Sequence, residues 1–191
     1  CRAIEPAHVM QMHYFLRLVA THGRRIMTKP SAREAHLSAI GFDSPETTRP
    51  KRFLCLNRRM HGHRVAVLGR LLRSGLIDRG YVSAWGAAEP NGIQPEAAYL
   101  SAFSQFAPDI RAWTDTWPSL SLDTDDDGRR EVWSAPSVYH RESWFSIVNE
   151  SEMYSTNEWL RFTEKSIKPL LYGHPLLVAG NCGTLELLKD M

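Results

Sequence analysis

Cysteine is scarce in this chain, and the motifs of several common enzyme classes are missing. The three cysteines, Cys1, Cys55 and Cys182, are an odd number with no Cys-x-x-Cys pair, which argues against a disulfide framework and against a zinc knuckle. Neither GxxxxGK[ST], GxGxxG nor GxSxG occurs. The sequence therefore argues against P-loop nucleotidases, the usual dehydrogenases and serine hydrolases.

Long hydrophobic runs are also missing. No apolar stretch approaches the roughly 20 residues that cross a bilayer, and the basic N-terminal stretch lacks the apolar core and small-residue cleavage site of a signal peptide. These features predict a cytoplasmic protein without a membrane span. The sequence begins at Cys1 and ends within a helical pattern, as expected for a fragment of a longer polypeptide.

The remaining composition is that of a globular domain with an uneven charge distribution. At 191 residues, with 43% hydrophobic and 23% charged residues, the chain is long enough for one sizeable core. Residues 1–75 contain 14 basic against 4 acidic side chains, whereas residues 76–191 contain 9 against 17. This asymmetry points to an anionic ligand or partner for the first half, or to a simple excess of surface arginines there.

Apolar runs and helical stripes alternate from residue 51 onward. Buried strands are predicted at residues 51–57 and 174–180, and further strands at residues 80–85 and 143–150. Helices are predicted at residues 63–75, 95–107 and 163–173, with a last one opened by Thr184 as N-cap. This alternation predicts an α/β fold with a Rossmann-like, doubly wound parallel sheet in residues 51–191, preceded by a helical segment or linker in residues 1–50.

The region between Pro108 and Ser137 is predicted as a long loop, and it contains several tempting signals. Its DTDDDG run matches the first six positions of a calcium loop, but the twelfth is Ser134, so an acidic solvated loop is the preferred interpretation. The HGH sequence at 61–63 has no further zinc ligand at the usual spacing. Four of the six tryptophans are interpreted as core residues, with ring stacking on sugars or bases as the alternative; they are Trp113, Trp117, Trp133 and Trp144.

Polar side chains cluster where the predicted strands end and the helices begin. In an open parallel sheet, ligands bind outside the carboxyl ends of the strands, at helix N-termini. A lysine in a first helical turn is unfavourable by itself and is explained if Lys165 neutralises a bound phosphate, whereas an ordinary capped helix is the alternative. The predicted ligand-binding residues are Asn57, Arg58, Arg59, Arg64, Asn149, Thr163, Glu164, Lys165, Gly180 and Thr184.

Two segments carry a resemblance to a known family. The stretch RFTEKSIKPLLYGHPLLVAG resembles the donor-binding segment of GT-B glycosyltransferases of the fucosyltransferase-like kind, and KRFLCLNRRMHGHRVAVLGRLLRSGLIDRGYVS is similar to uncharacterised phage and bacterial relatives. The resemblance covers about residues 50–191. It implies the C-terminal lobe of a GT-B enzyme, in which Glu164 holds the ribose of a UDP- or GDP-sugar and Lys165 its diphosphate.

The implied activity is metal-independent transfer of a sugar from a nucleotide-sugar, which is a substrate, so that no cofactor is expected. The candidates for the general base are Glu150, Glu152 and His63, which the sequence does not rank. The acceptor is unknown, with a glycan or modified phage DNA as candidates. Two alternatives remain: a non-catalytic nucleic-acid-binding module that uses the basic N-terminal half, and a pseudo-enzyme that keeps the fold as a scaffold.

Overall fold

The described residues form a four-stranded, all-parallel β-sheet with helices packed on it, as shown by a computed structural model. The structure describes residues 48–57, 60–84, 96–116, 118, 120, 122, 137–151, 153 and 162–189, together with residues 30, 31, 34 and 38. The elements are β1 Lys51–Leu56, α1 Gly62–Arg73, β2 Gly80–Ser83, α2 Glu96–Ala102, α3 Ala107–Thr114, α4 Ser137–Arg141, β3 Ser143–Asn149, α5 Glu164–Leu171, β4 Leu176–Ala179 and α6 Thr184–Lys189.

The sheet order β2-β1-β3-β4 confirms the predicted α/β organisation. Strand β1 pairs with β2 on one side and with β3 on the other, so its apolar run is buried in the middle of the sheet. From β1 the chain crosses to β2 in one direction, and from β3 it crosses to β4 in the opposite direction. The carboxyl ends of β1 and β3 therefore lie side by side where the direction of winding reverses, which is the usual ligand site of such sheets.

Helix α1 follows the predicted stripe closely. Its buried side chains Val65 and Leu68 share one hydrophobic core with Phe53 and Cys55 of β1. The helix ends in a Schellman motif, in which Gly75 takes a φ of 63° and the Leu76 N–H donates to the Leu71 carbonyl at 2.9 Å. The predicted C-cap glycine is confirmed.

The prediction of a loop from Pro108 onward is wrong in its first part, because residues 107–114 form helix α3. Its buried side chains Ile110 and Trp113 pack into the α1 core, so the core interpretation of Trp113 is confirmed. The same interpretation is wrong for Trp144 of β3, whose side chain is 60% exposed. Buried Asp109 accepts hydrogen bonds from Arg70 at 3.1 Å and from Arg73 at 2.6 Å. Only eight residues long, α3 depends on this packing rather than on a long apolar stripe.

The opposite face of the sheet is covered by α4 and α5. Tyr81 points to that face, because it pairs with Leu54 rather than with Phe53, and its ring lies 4.9 Å from that of Tyr139 in α4. Helix α5 packs against β3 and β4 and buries Ile167. Helices thus lie on both faces of the sheet.

Two predictions near the C-terminal end of the chain need correction. Strand β4 was predicted to be buried, but it pairs only with β3 among the described strands, and Leu177 is 60% exposed. Thr184 was predicted as an N-cap, but it is the first residue of α6, and its hydroxyl donates to the Asn181 carbonyl at 2.7 Å instead of accepting. Both errors come from an apolar or capping pattern that ignores which neighbours the element has.

Some predictions fall on residues that the structure does not describe. These are most of the N-terminal segment 1–50, the acidic run 123–128, and Trp117 and Trp133. Among the described residues, no helix combines the length and hydropathy needed to traverse a bilayer.

Candidate functional site

The carboxyl ends of β1 and β3 carry a pair of asparagines. Asn57 directly follows β1 and Asn149 ends β3, and the Asn149 amide donates from Nδ2 to Oδ1 of Asn57 at 2.9 Å. Beneath the pair lies the Cys55 thiol, whose Sγ is 3.3 Å from Nδ2 of Asn57. Burial raises the pKa of Cys55 to about 11, so the thiol is neutral at physiological pH. The two central strands are thus joined at their ends by neutral polar groups.

Glu150, immediately after β3, connects the sheet to α5. Its side chain is buried, and the two carboxylate oxygens accept four hydrogen bonds. Oε1 accepts from the Thr163 N–H at 3.0 Å and from the Ser166 hydroxyl at 2.5 Å, and Oε2 accepts from the Thr163 hydroxyl at 2.7 Å and from the Ser151 N–H at 3.2 Å. A carboxylate in this position stabilises the N-terminus of α5, where unpaired N–H groups favour negative charge.

The main-chain carbonyl of Glu150 connects the same point to α1. His63 Nε2 lies 2.8 Å from this oxygen, and Arg64 donates to it from Nη2 at 3.0 Å and from Nε at 3.3 Å. His63 and Arg64 are both buried in the first turn of α1. One residue at the end of β3 therefore holds the starts of two helices from opposite faces of the sheet.

Burial lowers the pKa of His63 to about 4, with the charges of Arg64, His61 and Lys165 acting in the same direction. The hydrogen bond to the Glu150 carbonyl opposes this shift without cancelling it. His63 is therefore a neutral imidazole near pH 7, and it provides hydrogen-bonding atoms without a charge.

The Thr163-Glu164-Lys165 sequence at the start of α5 lies at the carboxyl edge of the sheet, next to Glu150. Thr163 is the N-cap of α5, and its Oγ1 accepts from the Lys165 N–H at 3.4 Å. The Lys165 Nζ lies 3.0 Å from Oε1 of Glu164 and 3.3 Å from the hydroxyls of Ser151 and Thr163. Its side chain is 24% exposed, so the ammonium group is partly open to solvent.

Gly180, just after β4, closes the cluster on the third side. A Cβ at this position would lie 3.2 Å from the Cβ of Glu150 and 3.5 Å from Oγ1 of Thr184. The close neighbour of Gly180 is thus the Glu150 side chain, and its predicted part in ligand binding stays a prediction. Gly180 therefore lies between the side chains of Glu150 and Thr184.

The structure brings together most of the predicted site residues. Those within one connected set of contacts around Glu150 are Asn57, Asn149, His63, Arg64, Thr163, Glu164, Lys165, Gly180 and Thr184. The other predicted residues, Arg58, Arg59 and Glu152, lie outside the described residues. Among the residues that the structure covers, no group of three or more His, Cys, Asp or Glu side chains is placed to hold a metal ion.

Two hydrogen-bond donors to Glu150 were not predicted from the sequence. The Ser166 hydroxyl lies 16 residues from Glu150 along the chain, and the second donor is the backbone N–H of its neighbour Ser151. The signal for Ser166 was its place in the first turn of a helix capped by threonine, where a hydroxyl can meet an incoming carboxylate.

The predicted role of Glu150 as a general base stays a prediction, but its geometry is that of a structural acceptor. Both oxygens already receive protein donors, and the residue is only 2% exposed. A general base needs a carboxylate within hydrogen-bond reach of the substrate hydroxyl. The observed contacts favour Glu150 as a residue that positions Thr163 and, through it, Lys165.

Comparison with known proteins found no matching family model, no matching curated protein and no matching solved structure.

Proposed function

We propose that this chain binds a nucleoside diphosphate sugar at the carboxyl edge of its sheet, as the Rossmann-like donor-binding lobe of a GT-B glycosyltransferase. The observation that carries the proposal is that Arg64 and Lys165, from two helices on opposite faces, bond to the consecutive residues Glu150 and Ser151, just after β3, where the sheet reverses its winding. Two cations at this place, at the N-termini of two helices, suit a diphosphate.

In the proposed complex, the side chains at the start of α5 bind the diphosphate and the ribose. The helix N-terminus of α5 already has an anion, the Glu150 carboxylate, so the proposed phosphate contact falls on the side-chain ammonium of Lys165. When a diphosphate takes this ammonium, Glu164 is released from its 3.0 Å contact and becomes available to the ribose hydroxyls. Carboxylates bind ribose diols in many nucleotide sites.

The proposed reaction is transfer of the sugar to an acceptor hydroxyl, on a glycan or a modified DNA base. The acceptor oxygen bonds to the anomeric carbon as the bond from that carbon to the diphosphate oxygen breaks. A general base takes the hydroxyl proton, with Glu152 and His63 as candidates. A fixed cation at the departing diphosphate contributes about 3 kcal/mol in comparable sites, and this scheme requires no metal ion.

Isothermal titration calorimetry with UDP, GDP, ADP and CDP tests the proposal. We expect one nucleoside diphosphate to bind with a stoichiometry of one, and Lys165→Ala to weaken it about ten-fold through loss of one charge-assisted contact. The matched control is Lys51→Ala, which removes the same charge at the amino end of β1, where the ammonium donates to the Asp78 carbonyl at 2.8 Å. This control is expected to bind the nucleotide as the unmodified protein does.

A folded protein that binds none of these nucleotides would rule out the proposal. Binding to single-stranded or duplex DNA that falls steeply with salt would then favour the nucleic-acid-binding alternative, because such binding releases counterions. Equal loss of nucleotide affinity in both lysine variants would place the anion away from α5 and would also count against the proposed site.

A further inference from the structure

Two hydrogen-bond acceptors, one at the end of β3 and one at the start of α1, have no donor among the described residues. The first is Oδ1 of Asn149, which is buried and unpaired while its Nδ2 is bonded to Asn57. A buried carbonyl without a partner costs roughly 1 to 3 kcal/mol. An unpaired acceptor of this kind, at the reversal point of a parallel sheet, can be satisfied by a donor from a ligand or from an ordered water.

The second acceptor is Nδ1 of His63. A carbonyl oxygen only accepts, so the 2.8 Å contact with Glu150 requires the proton to be on Nε2. The neutral ring then has a bare lone pair on Nδ1, which receives no hydrogen bond from the part of the chain that the structure covers. A bare nitrogen repels a phosphate oxygen and attracts a hydroxyl or an amine.

The residues that carry the two acceptors are held at the same strand end, because His63 bonds through Nε2 to the carbonyl of Glu150, which follows Asn149. We propose that Asn149 Oδ1 and His63 Nδ1 form a subsite that accepts hydrogen bonds from the hydroxyl groups of the transferred sugar. The inference rests on the proposed nucleotide-sugar binding. These contacts would make the chain bind a nucleotide-sugar more tightly than the nucleoside diphosphate alone.

The order of groups along the edge supports the sugar rather than the ribose as the occupant. Glu164 and Lys165, the proposed partners of ribose and diphosphate, lie at the start of α5, whereas His63 lies at the start of α1 on the opposite face. A nucleotide-sugar has its diphosphate between ribose and sugar. With the ribose at α5 and the diphosphate between the two helices, the sugar reaches α1.

The substitution His63→Gln separates the two functions of this ring. A glutamine amide nitrogen can take the place of Nε2 and keep the bond to the Glu150 carbonyl, but it has no atom where Nδ1 was. His63→Asn has the reverse pattern, with an acceptor near the Nδ1 position and no donor to Glu150. The control is His61→Gln, the same substitution two residues earlier, at the exposed N-cap of α1.

Calorimetry compares UDP with UDP-glucose and UDP-galactose, and GDP with GDP-mannose and GDP-fucose, for each variant. In the unmodified protein we expect at least one sugar nucleotide to bind more tightly than its nucleoside diphosphate. In His63→Gln this preference should fall about three- to ten-fold, as expected for one lost hydrogen bond, while affinity for the nucleoside diphosphate stays the same. His61→Gln and His63→Asn should keep the preference.

Several outcomes would overturn the inference. If a nucleoside diphosphate binds but no sugar adds affinity, the subsite is absent although the proposed function survives. If no nucleotide binds at all, both fail. If His63→Gln weakens binding of the nucleoside diphosphate and of the sugar nucleotide equally, His63 contacts the nucleotide and not the sugar.

A measurement on the unmodified protein covers the case in which His63→Gln does not fold. Monodeoxy derivatives of the preferred sugar nucleotide remove one sugar hydroxyl at a time. At least one derivative should bind about three- to ten-fold more weakly than the parent, because its donor to Asn149 or His63 is missing. If every derivative binds like the parent, the inference is wrong.

Discussion

Replacing Glu150 with glutamine tests whether this residue holds the site together. The substitution keeps the size of the side chain but turns one carboxylate oxygen into an NH₂ group. Each oxygen accepts from one backbone N–H and one hydroxyl: Oε1 from Thr163 and Ser166, and Oε2 from Ser151 and Thr163. A hydroxyl can rotate and accept from the new amide, but a backbone N–H cannot.

Either orientation of the glutamine therefore leaves one N–H facing another donor. An unsatisfied buried donor costs roughly 1 to 3 kcal/mol. Loss of the negative charge at the N-terminus of α5 adds about 0.5 to 1 kcal/mol. We expect Glu150→Gln to lower the free energy of unfolding by about 2 to 4 kcal/mol, measured by urea denaturation at pH 7.

The control for this experiment is Glu164→Gln, the same chemical change at the first residue of α5. Glu164 is paired with Lys165 in a partly exposed contact, so its loss should cost less than about 1 kcal/mol. If Glu150→Gln is no more destabilising than Glu164→Gln, the four hydrogen bonds do not stabilise the fold. A direct role of Glu150 as the general base would then be favoured.

Two further predictions concern the packing and the pH dependence of the fold. Gly69→Ala places a Cβ 1.8 Å from the Asp109 carbonyl oxygen, so α1 and α3 must separate, and urea denaturation should show that the free energy of unfolding falls by at least about 2 kcal/mol. The control is Gly75→Ala, whose Cβ meets no atom within 4 Å; because its φ is 63°, the free energy of unfolding should fall by only about 1 kcal/mol. Equal losses in the two variants would contradict the predicted clash. Burial lowers the pKa of His140 to about 3, with the charges of His174 and Lys168 in the same direction. Below pH 6.5 the unfolded chain binds a proton at residue 140 that the folded chain does not, so this residue should lower the free energy of unfolding by at most about 1.4 kcal/mol for each unit that the pH falls. His140→Phe should therefore make the free energy of unfolding depend less steeply on pH between pH 7 and pH 5. An unchanged pH dependence would contradict the role given to His140.

The parts of the fold that the sequence predicted well are those whose cause is local. The apolar run of β1, the stripe of α1 and the glycine that ends it are visible within a dozen residues. The meeting of Asn57 and Asn149 was also predictable, although they lie 92 residues apart. Adjacent parallel strands bring their carboxyl ends to one edge, so the general rule supplied what the local pattern could not.

The parts that were missed depend on contacts between distant residues. Helix α3 has eight residues and is held by Asp109, which the arginines of α1 reach from 36 and 39 positions away. Nothing within the α3 sequence identifies those partners. The hydrogen-bond partners of Glu150 are likewise not visible in the sequence, because a glutamate has the same place in a sequence pattern whether its carboxylate is buried among hydroxyls or exposed for catalysis.

Glu150 also explains how one strand end can organise two helices independently. Its main-chain carbonyl holds His63 and Arg64, and a change of the side chain at position 150 leaves that oxygen in place. Its side chain holds Thr163 and Ser166, and any substitution alters those bonds. The proposed sugar contacts at α1 therefore depend on the backbone of β3, whereas the proposed diphosphate contact at α5 depends on the carboxylate. Because the two halves of the site are fixed by different atoms of one residue, loss of the side chain should loosen the grip on the diphosphate while the geometry that selects the sugar is retained.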